Sequence, residues 1–274
     1  MEAAAGGTPR RLRVASSLDG ARRHDVAALT RVPAAAARLR ARGVVVPAPA
    51  WKARLERQGP AWVGKVAVLP FPTPDAVFDW DDTRAVVEVN DRYHLEARPR
   101  ILAAADWERG QGLTRLLPLA RDVLQREGEL VLLGALPHRD RIAPLVSHLG
   151  LSECVVLLPP SSAREAAGLL HGADVLVQAE DSGYPYWLLW AAAAGLPAVA
   201  VDTPATREAS GRAALMVDPE REAAWPDAVR EALTNQRLRE AQIERGRAAA
   251  APSRLSAVAC DWIRLLRSNW PAPS

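Results

Sequence analysis

The stretch DVLVQAEDSGYPYWLLWAAAAGLPAVAVDTP, Asp174 to Pro204, holds two apolar runs, DVLVQ and PAVAVD, that read as strands. Between them lie an acidic loop bearing Gly183 and Pro185 and a Trp- and Ala-rich helix closed by Gly195. Strand, crossover helix and strand form the unit of a parallel sheet. Both runs are continuously apolar rather than alternating, which predicts cover on both faces.

The same rhythm extends upstream. RILAAA, ELVLLGALP and CVVLLPP read as strands, and GLTRLLPLARDVLQREG, HRDRIAPLVSHLG and SSAREAAGLLHGA as amphipathic helices. In the last of these, Ser161 or Ser162 is placed to cap the helix, with Glu165 completing a capping box. Downstream, ALMVD reads as a further strand and residues 220–267 as mostly helical. The predicted fold class is therefore α/β: a Rossmann-like parallel sheet with helices on both faces. In such sheets a ligand crevice opens beyond the carboxyl ends of the strands.

The organisation expected from the sequence is a flexible tail over 1–24, helix–strand units and a crossover over 25–80, a linker over 81–98, the Rossmann-like domain over 99–253, and a helix and tail over 254–274. A helix is expected over VPAAAARLRARG, ending at Gly43, and a short buried strand over VVVPAPAW.

At 274 residues, with 49% hydrophobic and 24% charged positions, the chain matches soluble globular composition. A net charge of +3 spread among many acids argues against nucleic-acid binding. No apolar run approaches the roughly 20 residues of a membrane span, and the start lacks the apolar core of a secretory signal. Cys154 and Cys260 stand in apolar contexts without metal-ligand spacing and read as buried, reduced thiols, in keeping with a cytoplasmic location.

Four strand-end loops are candidates for chemistry. In DWERGQG, Arg109 can pair bidentately with a phosphate; a solvated loop arginine is the plain alternative. In GALPHRD, Gly134 lets a ligand approach the backbone before a helix N-terminus, although a tight strand-to-helix turn explains it equally well. The HRD triplet lacks the asparagine and the Gly-rich loop of a kinase, and that reading is rejected. In the loop before the Trp-rich helix, Glu180 and Asp181 suit sugar hydroxyls, while Ser182 and Gly183 sit where amides and dipole favour an anion. Arg207 and Glu208 lie in the loop TPATREASG.

From about Arg100 to Ala249 the order of these elements resembles the C-terminal, donor-binding domain of the GT-B retaining glycosyltransferases of group 1. The carriers include LLHGADVLVQ, AAAAGLPAVAVDTPATREASGRAALMVDP and ALTNQRLREAQIERGR, and KVAVLPFPTPDAVF is similar to that family's crossover. The resemblance implies a nucleotide-sugar donor, UDP- or GDP-linked, and transfer without metal or other cofactor. It assigns donor roles to Gly134 and Glu208. It also implies a fuller N-terminal domain than the roughly 80 residues that precede this one, hence a truncated first domain.

The sequence departs from the family at its charged positions. The family's two glutamates eight positions apart fall on Ser182 and Trp190, and its Arg and Lys fall on Asp106 and Gln111. Glu180 or Asp181 is placed to replace the first carboxylate and Arg109 to replace a cation; nothing replaces the second carboxylate, since an indole only donates. Two functional readings remain open: a metal-independent retaining hexosyltransferase, or a catalytically degenerate binding or partner protein, a truncated product included. The second implies association with a full-length glycosyltransferase or contact with the inner membrane face. Trp187 and Trp190 share a helical face, which packs in the core or meets a partner or lipid-linked acceptor.

Overall fold

Strands form where the chain is continuously apolar, and a parallel sheet is where such strands can be buried on both faces. A computed structural model describes residues 12–15, 26–29, 43–79, 82–95, 99–105, 112–124, 128–159, 161–180 and 184–267. The chain divides into two units, Met1–Phe71 with Ala257–Ser274, and Pro72–Ser256.

In the first unit, β1 (Leu12–Ala15), β2 (Val26–Leu29), β3 (Gly43–Val46) and β4 (Val66–Val68) form a parallel sheet in the order β1-β2-β3-β4. Helix α1 (Pro49–Gln58) starts on a proline, which suits the first helical position, and buries Trp51 and Leu55. The segment 1–24, expected to be a tail, thus carries a strand: Leu12–Ala15 gains backbone partners along β2. Gly43, expected to end a helix, opens β3, and the residues assigned to that helix before it lie outside the described ones.

The second unit holds β5 (Arg100–Ala104), β6 (Glu129–Leu132), β7 (Val155–Leu157), β8 (Val175–Gln178), β9 (Ala198–Val201) and β10 (Leu215–Val217). They pair in parallel in the order β10-β9-β8-β5-β6-β7. Around them run α2 (Thr83–Tyr93), α3 (Leu113–Asp122), α4 (Arg139–His148), α5 (Ala163–His171), α6 (Tyr186–Ala194), α7 (Pro204–Ala209), α8 (Trp225–Thr234) and α9 (Gln236–Ala250); α10 (Leu255–Arg267) follows. The parallel, helix-covered sheet expected from the sequence is the one observed.

The segment 81–98, expected to be a linker, contains α2. Its cap is Asp82, whose carboxylate accepts from the Ala85 amide at 3.1 Å, and its buried positions are Ala85 and Val89, one helical turn apart. Helix α5 packs on it through Gly168, where a Cβ would stand 2.3 Å from the Ala85 carbonyl oxygen. Ser162 caps α5, and both halves of the box with Glu165 are present. Of the two thiols, Cys154 is buried as expected and Cys260, on α10, is exposed.

At the amino end of the central strand β5, Arg100 is 1% exposed. Its Nε donates to Glu129 Oε2 at 2.8 Å, and its Nη1 to Asn90 Oδ1 at 2.8 Å and to the Gly172 carbonyl at 3.0 Å. Its backbone amide donates to Asp174 at 2.7 Å. One guanidinium thereby joins α2, β5, β6 and the end of α5.

Near the two ends of this unit, Thr73 and Arg254 form a parallel bridge. The Thr73 amide donates to the Ser253 carbonyl at 2.8 Å, the Leu255 amide to the Thr73 carbonyl at 2.9 Å, and the Thr73 and Ser253 hydroxyls lie 2.8 Å apart. The Arg254 guanidinium stands 4.1 Å above the Phe78 ring.

Two predictions follow from these contacts. Glu129→Ala, which strands the Arg100 charge in the interior, is expected to cost ~3–5 kcal/mol in denaturant unfolding; a loss within experimental error would show that Arg100 does not need its partner. Glu165 is held down to about 2, below the ordinary 4.5, chiefly by the Ser162 amide and hydroxyl, with Tyr93 and Arg92 adding to the effect. A folded-state pKa below the unfolded one stabilises at higher pH. The advantage of the wild type over Glu165→Gln is therefore full above about pH 4.5 and shrinks as pH falls toward 2, as an acid series of thermal midpoints will read.

Candidate functional site

Strand order decides where a ligand crevice can open. From β5 the chain winds outward through β6 and β7, then returns to place β8 on the other side of β5. The two halves diverge at the β5–β8 pair, and the crevice of a doubly wound sheet lies beyond the carboxyl ends at that point. The loop after β5 reaches α3, the loop after β8 reaches α6, and Gly134 and α7 follow β6 and β9 along the same edge.

Of the residues expected to form the site, Asp106, Arg109, Gln111, Asp181, Ser182 and Gly183 lie outside the described residues. Gly134, Glu180, Trp190 and Glu208 are described. Gly134 has φ 71, a left-handed conformation that favours glycine. Among the described residues, no heavy atom stands within 4 Å of where its Cβ would be, so its backbone is open to approach.

Glu180 lies two residues past the end of the switch strand β8 and is 6% exposed. Its carboxylate lies against Gly112, the residue that opens α3: a Cβ there would stand 2.9 Å from Glu180 Oε1 and 2.8 Å from Ala105 Cβ. The Glu180 carbonyl accepts from the buried Gln178 side chain at 3.0 Å. An acid read from the sequence as a loop residue open to sugar hydroxyls is thus packed in the interior, against the start of α3.

Beside it lies a cation that the sequence reading missed. Arg115, in the first turn of α3, has a side chain only 17% exposed. Its Nη1 donates to the Ala179 carbonyl at 2.9 Å and its Nη2 to the Pro219 carbonyl at 3.1 Å, and its Nε stands 3.6 Å from Glu222. The guanidinium therefore reaches the carboxyl edge from β8 to the loop after β10, where a cavity of about 910 Å³ is lined by Pro219–Ala224 and Asp227. Its only trace in the sequence is an arginine three residues into a helix that follows a strand.

Glu208 lies not in a loop but on α7, whose start is fixed by reciprocal capping between Thr203 and Thr206. Burial, and then the charge of Glu208, raise the Tyr184 hydroxyl above the ordinary phenol range; Tyr184 accordingly stays protonated, a hydroxyl donor close to that carboxylate. Arg207 turns outward and makes a two-point pair with Asp202 at 2.5 and 2.6 Å.

Trp190 occupies the helical position where the resemblance expects a carboxylate. Its Nε1 donates to the Pro72 carbonyl at 3.4 Å. Its ring meets Tyr186 edge-on at 5.2 Å and Trp187 at 5.4 Å between centroids, spacings that suit attractive T-shaped pairs. Trp187 is buried. The two tryptophans therefore serve packing at the start of α6.

Among the described residues, no group of three or more His, Cys, Asp or Glu side chains could hold a metal ion, and no helix is long and apolar enough to cross a membrane.

This strand order defines a doubly wound, Rossmann-like domain. The family model of glycosyl transferases group 1 matches residues 90–249, more than half the chain, and the chain belongs to that family. No curated protein matches it in sequence. Among solved structures, sucrose-phosphate synthase from Thermosynechococcus elongatus is similar with a TM-score of 0.70 at 19% identity, over 91% of this chain and 68% of that one. HepE from Anabaena in complex with UDP-glucose gives 0.70 at 12%, over 88% and 71%. WaaG, a glycosyltransferase involved in lipopolysaccharide biosynthesis, gives 0.66 at 16%, over 84% and 64%. At these identities the likeness establishes the GT-B fold, and the chain spans about two thirds of each neighbour.

Replacing Trp190 by alanine removes two ring contacts and one hydrogen bond. Because Trp190 is partly buried, unfolding in denaturant is expected to show a loss of ~1–3 kcal/mol; a near-neutral result would mean that the aromatic group is not structural.

Proposed function

We propose that this chain binds a nucleotide sugar, UDP- or GDP-linked, in the crevice beyond β5 and β8 and transfers its sugar to an acceptor with retention, without a metal. The observation that carries this reading is the convergence of Gly134, Glu208 and the start of α3 on one carboxyl edge, within a domain matched by the family over residues 90–249. HepE, with the same fold, was solved with UDP-glucose, which supports a nucleotide-sugar ligand.

In this reading, Gly134 admits the donor to the backbone after β6. The first amides of α3 face the diphosphate, because a helix N-terminus carries partial positive charge. Arg109 and Arg115 supply the cationic side chains near the leaving diphosphate, a role in which electrostatic stabilisation is commonly the largest catalytic term. Glu208 accepts hydrogen bonds from donor hydroxyls, held beside the neutral Tyr184. Asp181, Ser182 and Gly183 complete the sugar loop.

One observation favours a second reading, donor binding without turnover: Trp190 presents an indole where an accepting carboxylate is needed. A chain of that kind serves as partner to a catalytically active glycosyltransferase, in the cytoplasm or at the inner membrane face.

Titration calorimetry with UDP and GDP tests the donor site. One of the two is expected to give heat, and Glu208→Ala to weaken it by about 10- to 100-fold, matching ~1.5–3 kcal/mol for a hydrogen bond to a charged group. Absence of heat with both nucleotides would discard the reading.

A further inference from the structure

Glu180 lies in the interior, 6% exposed, two residues past the end of the switch strand β8, with its carboxylate against Gly112, the residue that opens α3. Gly112 is the reason it fits: with any side chain at that position, a Cβ would come within 2.9 Å of Glu180 Oε1. The Gln178 side chain, itself buried, holds the Glu180 carbonyl and fixes the backbone from which the acid projects. On the preceding residue, the Ala179 carbonyl is held by Arg115. A carboxylate of the protein's own thus stands at the positive end of a ten-residue helix, one residue along from the carbonyl held by the largely buried Arg115 guanidinium, at the place where the fold offers a site for phosphate.

From this juxtaposition we propose that Glu180 sets the specificity of the crevice by occupying its phosphate position: the resident carboxylate competes with the diphosphate and must be displaced for a nucleotide diphosphate to seat. The proposal rests on the donor-binding reading above. Two anions close together in a poorly solvated site repel, so a ligand's phosphate charge is the part of it that Glu180 opposes. The nucleoside part meets no such opposition. Charge in the ligand, rather than its base or sugar, is what this residue selects against.

The test is calorimetric titration of the full chain with UDP and GDP, with uridine and guanosine as neutral references, on the wild type and on Glu180→Gln. Glutamine keeps the shape and removes the charge; the thermal midpoint of each protein establishes folding, and Glu180→Ser stands in if the glutamine variant does not fold. The expected result is diphosphate binding at least tenfold tighter in the variant, with nucleoside binding unchanged. Equal diphosphate affinity in the two proteins overturns the proposal and leaves the donor reading standing. Weaker diphosphate binding in the variant also overturns it, by placing the carboxylate among the groups that hold the ligand. Failure of both proteins to bind any nucleotide overturns the donor reading, and the proposal with it.

Discussion

The second unit depends on one desolvated charge. Arg100 sits at the amino end of its central strand, and its guanidinium is satisfied only when β6, α2 and the end of α5 are all in place. An unpaired charge in that interior is among the costliest defects a fold can carry, so the arrangement is close to all-or-none. The position matters as much as the strength. Arg100 secures the amino edge of the sheet, opposite the crevice. The loops at the carboxyl edge are therefore free of the task of holding the strands together, and their residues can change while the fold persists.

That division of labour makes sense of the chain's departures from its family. At the carboxyl edge, an indole stands where a glutamate is expected, and it is integrated into an aromatic group with a hydrogen bond to Pro72. Within the same edge an acid is packed against Gly112 at the start of α3. Neither change disturbs the strand order. Arg115 contributes cationic character from a different position, tied to backbone carbonyls of two strand-end loops rather than free in a loop.

Much of the architecture was legible because strands buried on both faces leave unmistakable apolar runs, as in DVLVQ and PAVAVD, and because Ser162 and Glu165 spell out a helix start. The helix over 83–93 was not, since its charged surface resembles a linker; what marks it, the spacing of Ala85 and Val89 under Asp82, is faint beside eleven mostly polar positions. The start of the chain misled for a similar reason: a four-residue strand at Leu12 carries little signal among arginines. The site was harder still. Gly134 has the open, left-handed backbone that its place after a strand suggests, while Glu208 lies on a helix and not in the expected loop; the burial of Glu180 follows from Gly112 lacking a side chain, and the reach of Arg115 from the packing of α3. Both are facts of three-dimensional contact between segments far apart in the chain, 64 and 104 residues for the two carbonyls that Arg115 holds, to which local sequence is blind.

The paired segments at Thr73 and Arg254 carry a topological consequence. Because they run side by side, residues 72–256 begin and end at one point, as a loop of rope does when its two tails are knotted together. A domain with adjoining ends is one that circular permutation and insertion into a host chain tolerate well. The stretch that holds the crevice is thus built as a transplantable module, entered and left through a single doorway.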